Sequence, residues 1–177
     1  SVSWMKRKDL PQKAIQAALM ALSKIEPSSY KEFFTHYLQS EDPITRAMAV
    51  RCRGLIPDKD LFETFRVYVH DEHSEVARVA LKSLQRAPWD SKPKEGLLEY
   101  LAQSFESEEE SVLPSAIDLL GQRGVAEDFE PALLALKPFL KEEKGVKREA
   151  AAQALAKLSR YERNADIATA QGYVGRW

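Results

Sequence analysis

Along most of the chain, apolar residues return at intervals of three and four, the period of an amphipathic helix. The clearest stretch runs from His73 to Leu84. Val76, Ala80 and Leu84 lie four apart with Val79 and Leu81 beside them, while Arg78, Lys82 and Gln85 fall outside the stripe. The same stripe is carried by Ala14, Ala18 and Leu22, and by Ile44, Met48, Ala49, Cys52 and Leu55. It returns at Val112, Ala116, Ile117 and Leu120, and at Val146, Ala150, Ala151, Ala154, Leu155 and Leu158. Between these stretches lie others, several richer in aromatic side chains. They are centred on Phe33, Phe34 and Tyr37, on Phe62, Phe65 and Tyr68, on Leu97, Leu101 and Phe105, and on Phe129, Leu136 and Phe139. Helices of two kinds therefore alternate.

Prolines and glycines mark the joints. Pro11, the Asp42-Pro43 pair and Pro93 suit helix starts, while Pro27, Pro57 and Pro88 suit stops. Asp71 to Ser74 and the acidic stretch 106–110 are turns, and Gly121 to Gly124 closes another helix. Pro138 sits inside a helical pattern and predicts a kink there. Residues 1–10 show no period and read as a lead-in. The pattern decays after Ser159, so 11–160 is expected to form the repeat domain and 161–177 a C-terminal extension.

The smallest residue of each second-kind stripe recurs as Ala18, Ala49, Ala80, Ala116 and Ala150, roughly every 31 to 36 residues. One helix pair per such unit predicts a solenoid, in which each pair buries its apolar face only against its neighbours. A closed bundle is the competing arrangement. The first pair lacks an evident first helix, which makes the N-terminal end a candidate for docking onto another protein or domain.

A chain of 177 residues suffices for one domain with a real core. With 26 Lys+Arg against 27 Asp+Glu the formal net charge is -1, so the chain as a whole points to neither nucleic acid nor an anionic membrane. The charge is nonetheless sorted. Taken together the second helices are net positive and the first helices net negative. Seven glycines and the lack of long Val, Ile and Thr runs favour helix. No apolar run reaches the roughly 18 residues that cross a bilayer. Cys52 is alone and forms no intrachain disulfide. The expected setting is cytoplasmic, although a leader or lipid anchor removed upstream of Ser1 leaves no trace.

Catalytic signals are sparse. His70-Asp-Glu-His73 presents two imidazoles and two carboxylates, but in a turn where polar residues belong anyway. Cys52 lies between Arg51 and Arg53, a setting for an activated thiolate and equally for a small core residue. Trp4 and Trp177, near the termini, suit capping the stack or contacting a partner. There is no Gly-rich phosphate loop and no Ser/His/Asp arrangement, so neither enzyme activity nor a cofactor or metal is expected.

Asp42-Pro-Ile-Thr-Arg46-Ala-Met-Ala49 and Glu75-Val-Ala-Arg78-Val-Ala80-Leu81-Lys-Ser-Leu84 resemble the second helix of HEAT repeats, roughly Asp-Pro-x-Val-Arg-x-x-Ala-x-x-Ala-Leu. The likeness extends over about 11–160. It is weakest at Val112 to Leu120, which lacks the Arg and holds Pro114. The units are shorter than the ~40–47 residues usual for these repeats, closer to the compact HEAT-like form. Tetratricopeptide and ankyrin signatures are absent. The resemblance implies an all-α, right-handed solenoid of about four to five stacked antiparallel helix pairs, with the second helices lining the concave side.

That placement implies a basic inner surface built from Arg46, Arg51, Arg53, Arg78, Lys82, Lys147 and Arg148. Such a surface suits an acidic or phosphorylated protein segment, with the chain acting as a non-catalytic scaffold. In HEAT repeats the motif Arg also bonds an Asp at a neighbouring turn, and Arg46, Arg78 and Arg148 are open to that structural use. Lys82, Arg51 and Arg53 lie off the motif. Two other readings compete: a segment of a larger solenoid, and a nucleic-acid-binding protein such as a HEAT-like DNA glycosylase using Asp118 and Trp89-Asp90. Deoxyhypusine hydroxylase, a HEAT-like metalloenzyme, is built on His-Glu dipeptides that this chain lacks.

Overall fold

The computed structural model describes residues 11–88, 90–93, 96–107, 109, 111–125, 128–141 and 145–174, with side-chain surroundings described as far as 160. Among the described residues there are nine α-helices and no strand. None of these helices is long and apolar enough to cross a membrane. The chain divides into two compact units, Ser1–Lys92 and Pro93–Trp177.

The first unit holds α1 (Gln12–Ile25), a 3-10 turn (Pro27–Tyr30), α2 (Lys31–Tyr37), α3 (Pro43–Arg53), α4 (Leu61–Val69) and α5 (Ser74–Leu84). Within it α2 packs on α3 and α4 on α5, while α3 also packs on both α1 and α5. The second unit holds α6 (Leu97–Phe105), α7 (Val112–Arg123), α8 (Phe129–Leu140) and α9 (Val146–Val174). There α6 packs on α7, α8 on α9, and α7 on α9. Second helices thus pack on one another from pair to pair. Among the described residues no comparable packing joins α2 to α4 or α6 to α8.

The aromatic helices fill each pair. Phe33, Phe34, Phe62 and Phe65 are buried, and Phe33 meets Tyr37 edge-on with centroids 4.9 Å apart. The second helices supply the small residues between layers. Ala49, Ala80 and Ala116 are wholly buried, as the spacing predicts. In α9 the buried residue is Ala151, and Ala150 is only half-buried, so the sequence alignment at this repeat is corrected by one residue. In α1 only Leu19 is fully buried, and Met20 and Ile25 are exposed. A first helix paired with α1 is not among the described residues.

Close approach follows one rule in α1, α3 and α7. The residue five after the mid-stripe alanine is Ser23, Gly54 or Gly121, and it faces a small residue of the next second helix. Ser23 bonds Cys52, whose thiol also donates to the Leu19 carbonyl at 3.5 Å. A Cβ on Gly54 would lie 2.5 Å from the Ser83 Cβ, and one on Gly121 only 2.7 Å from the Ala154 Cα. Such distances leave no space for any side chain. Cys52 is therefore a packing residue, and burial pushes its thiol above the ordinary value.

Prolines behave as their positions dictate. Pro43 takes the first position of α3 behind the Asp42 cap, whose carboxylate accepts from the Thr45 amide at 2.8 Å. Pro114 falls in the first turn of α7 and interrupts nothing. Pro138 lies in the last turn of α8, two residues before its end. The apolar pattern fades after Ser159, yet α9 runs on to Val174.

Candidate functional site

The cations expected on the inner surface separate into four groups. Arg46 is structural. Its Nε and Nη2 donate to the two oxygens of Asp71 at 2.7 and 2.8 Å, and its Nη1 donates to the Ser40 carbonyl at 2.7 Å. Burial alone would raise the Asp71 carboxyl, but the Arg46 fork outweighs it and holds the pKa below the ordinary value. Asp71 also accepts from the His73 amide at 2.9 Å and so shapes the turn into α5. This is the inter-repeat ladder that the motif implied for Arg46. It also engages the carboxylate of the His70–His73 stretch. Among the described residues no group of three or more His, Cys, Asp and Glu is arranged to hold a metal.

Arg53 is the clear correction. It was expected to face a partner, yet its side chain is only 2% exposed. It donates to Asp58, with its Nε and Nη1 buried and unpaired. Aligned on Ala49 and Ala80, Arg53 stands where α5 has Leu84, on the apolar stripe. Asp58 also accepts from Lys31 at 2.9 Å, and its pKa falls to about 2. The Lys31 bond is the largest cause; burial opposes it, and the Asp60 amide and Arg53 add to the lowering.

The expected cations Arg51, Arg78 and Lys82 come together with Arg86. Between α3 and α5 lies a groove with a volume of about 320 Å³. Ala47 and Met48 of α3 and Val79 and Ser83 of α5 line it, together with Arg51, Arg78, Lys82 and Arg86. Glu75 is the one carboxylate among these lining residues. Arg78 donates to both its oxygens, from Nε at 2.7 Å and Nη2 at 2.6 Å. That bond holds Glu75 below the ordinary carboxylate range and raises Arg78, with Lys82 adding to the effect on Glu75. Among the described residues Arg51, Lys82 and Arg86 form no ion pair, although Lys82 acts on Glu75 from further off, so four cations line the groove with one carboxylate.

Arg78 does not occupy the ladder position. Arg46 stands three residues before its alanine and Arg78 two before Ala80; Ala77 takes the ladder place in α5. One residue turns a helix by about 100°, which carries Arg78 off the inter-repeat turn and onto the groove. Arg86 went unread in the sequence because it lies past the end of α5. Its signal was present, four residues after Lys82 and eight after Arg78.

The second unit offers a different surface at the matching positions. Asp118, two after Ala116, stands where the first unit has Arg51 and Lys82. It pairs with Lys157 of α9 at 3.5 Å. Lys147 and Arg148 lie in the first turn of α9, half-buried and exposed respectively, and do not line the groove. Trp4, Trp89 and Trp177 lie outside the described residues.

The family model of HEAT repeats matches residues 31–113, from the start of α2 into the first turn of α7. No curated protein matches the chain. HEAT repeats generally mediate protein–protein interaction. The helix pairs, the Arg46–Asp71 ladder and the family match agree: residues 31–113 form HEAT repeats.

Proposed function

We propose that the chain is a non-catalytic scaffold that binds an acidic segment of a protein partner in the groove between α3 and α5. The observation that carries this reading is the charge there: Arg51, Lys82 and Arg86 stand beside Arg78 with a single carboxylate among them. Four cations held together repel one another unless an anion joins them. Half-buried Met48 and Val79 give the same groove an apolar component for the methylenes of a bound chain. That second helices pack on each other while first helices do not supports placing this groove on an inner surface.

Direct titration tests the reading. A labelled Glu-rich peptide should bind the full chain in fluorescence anisotropy, with affinity falling as salt rises. Arg51→Glu with Lys82→Glu should abolish that binding and leave the helical circular dichroism unchanged, because both side chains are exposed. Unchanged affinity in the double variant rules the groove out.

A further inference from the structure

Building on that reading of the groove, we infer that its occupant is one phosphorylated side chain, phosphoserine or phosphothreonine, of an extended protein segment. Glu75 holds the place of the phosphate until it arrives. The argument starts from two Arg–carboxylate forks with different surroundings. In the Arg46–Asp71 fork the side chains are 12% and 10% exposed, and both residues are fixed by further bonds to Ser40 and His73. In the Arg78–Glu75 fork the values are 27% and 61%, and Glu75 lies three residues away on the same helix. Glu75 can swing into water at little cost, since an exposed ion pair within one helix contributes little.

The anion that replaces it must answer more than Arg78. A carboxylate brings one charge and fills one fork, which leaves Arg51, Lys82 and Arg86 as they were. A phosphate monoester brings ≈ −1.5 to −2 and three acceptor oxygens, enough for a guanidinium fork and neighbouring cations at once. The groove's volume of about 320 Å³ suits a single side chain with its flanking backbone. A nucleic-acid backbone fits less well, since it needs a track of cations. At the register of Arg51 and Lys82 the second unit carries Asp118 and, two after Ala151, Gln153.

The test uses three pools of labelled peptides, degenerate except for a central phosphoserine, Ser or Glu, titrated against the full chain by fluorescence anisotropy. The phosphoserine pool should bind about tenfold tighter than the Glu pool, with the Ser pool weaker still. Arg78→Ala should remove most of that advantage, and Glu75→Gln, which frees the fork, should tighten phosphoserine binding by about threefold. Circular dichroism of each variant checks that the helices persist. A Glu pool that binds as tightly as the phosphoserine pool overturns this inference and leaves the acidic-segment reading standing. Binding by no pool, and none by a Glu-rich peptide, overturns both. Tighter binding of a short single-stranded oligonucleotide than of the phosphoserine pool, or a Glu75→Gln variant with unchanged affinity, also overturns it.

Discussion

The two units solve the same packing problem and dress the result differently. In the first, Gly54 of α3 lies against Ser83 of α5; in the second, Gly121 of α7 lies against Ala154 of α9. Both contacts fall five residues after a buried alanine. Outward from those crossings the units part. Asp118 and Lys157 form an ion pair across the second unit, whereas the positions matching them in the first unit are Arg51 and Arg86, two cations lining one groove. Inward positions are dictated by the close approach of helices, and outward positions are left free to carry chemistry. A pair of like charges, where the same scaffold elsewhere places opposite ones, is what the proposed anion site rests on.

The largest expected effects come from attacking what the units share. Gly121→Val should destabilise the chain by about 3 kcal/mol, because the added carbons meet the Ala154 backbone, which cannot step aside. Gly54→Ala should cost about 2 kcal/mol, and Ser83→Gly should restore most of that loss, since the obstruction there is a side chain. Urea denaturation midpoints of the single and double variants measure both. Failure of Ser83→Gly to rescue would mean that the crossing is limited by backbone in the first unit as well.

Of similar size is the contrast within α3. Arg46→Ala strands Asp71 and should cost about 3 kcal/mol in the same assay. Arg51→Ala, five residues on, should change stability by no more than about 0.5 kcal/mol. Peptide binding should reverse the order, with Arg51→Ala the more damaging. Equal effects in both assays would dissolve the distinction between ladder and groove.

Acid should discriminate as well. Asp58 has its folded pKa lowered to about 2 from 3.8, so its pairing stabilises the fold above the unfolded value and is lost as pH falls through the folded one. On the order of 2 kcal/mol should disappear between about pH 4 and pH 2. Asp58→Asn should be less stable at neutral pH and show a flatter stability profile across that window. The smallest effect tests the comparison itself. Arg51→Asp transplants the Asp118–Lys157 pairing by placing a carboxylate near Arg86, and should raise stability by a few tenths of a kcal/mol while abolishing peptide binding.

Most of the architecture was legible because it rests on period and residue size. Alternating helix pairs, the buried Ala49, Ala80 and Ala116, and the likeness to HEAT repeats all follow from spacing that tolerates small errors. The site depends on orientation, which does not tolerate them. A motif match loose by one residue put Arg46 and Arg78 in the same class, though that residue decides between an inter-repeat turn and the groove. Arg53 was readable in hindsight: a cation on an apolar stripe needs a buried counterion, and Asp58 stands five residues further on. Arg86 escaped because the helical pattern stops before it, while its position beside Lys82 is set by the turn that follows α5.

Where Gly54 rests on Ser83, no long side chain sits between α3 and α5 to bend or repack. The spacing of the backbone positions that carry Arg51, Lys82 and Arg86 is therefore set before any ligand arrives. A guest of matching width forfeits little entropy in the host, and one that is too wide meets resistance rather than accommodation. In the proposed scaffold, selectivity for size would then originate in a glycine that never touches what is selected.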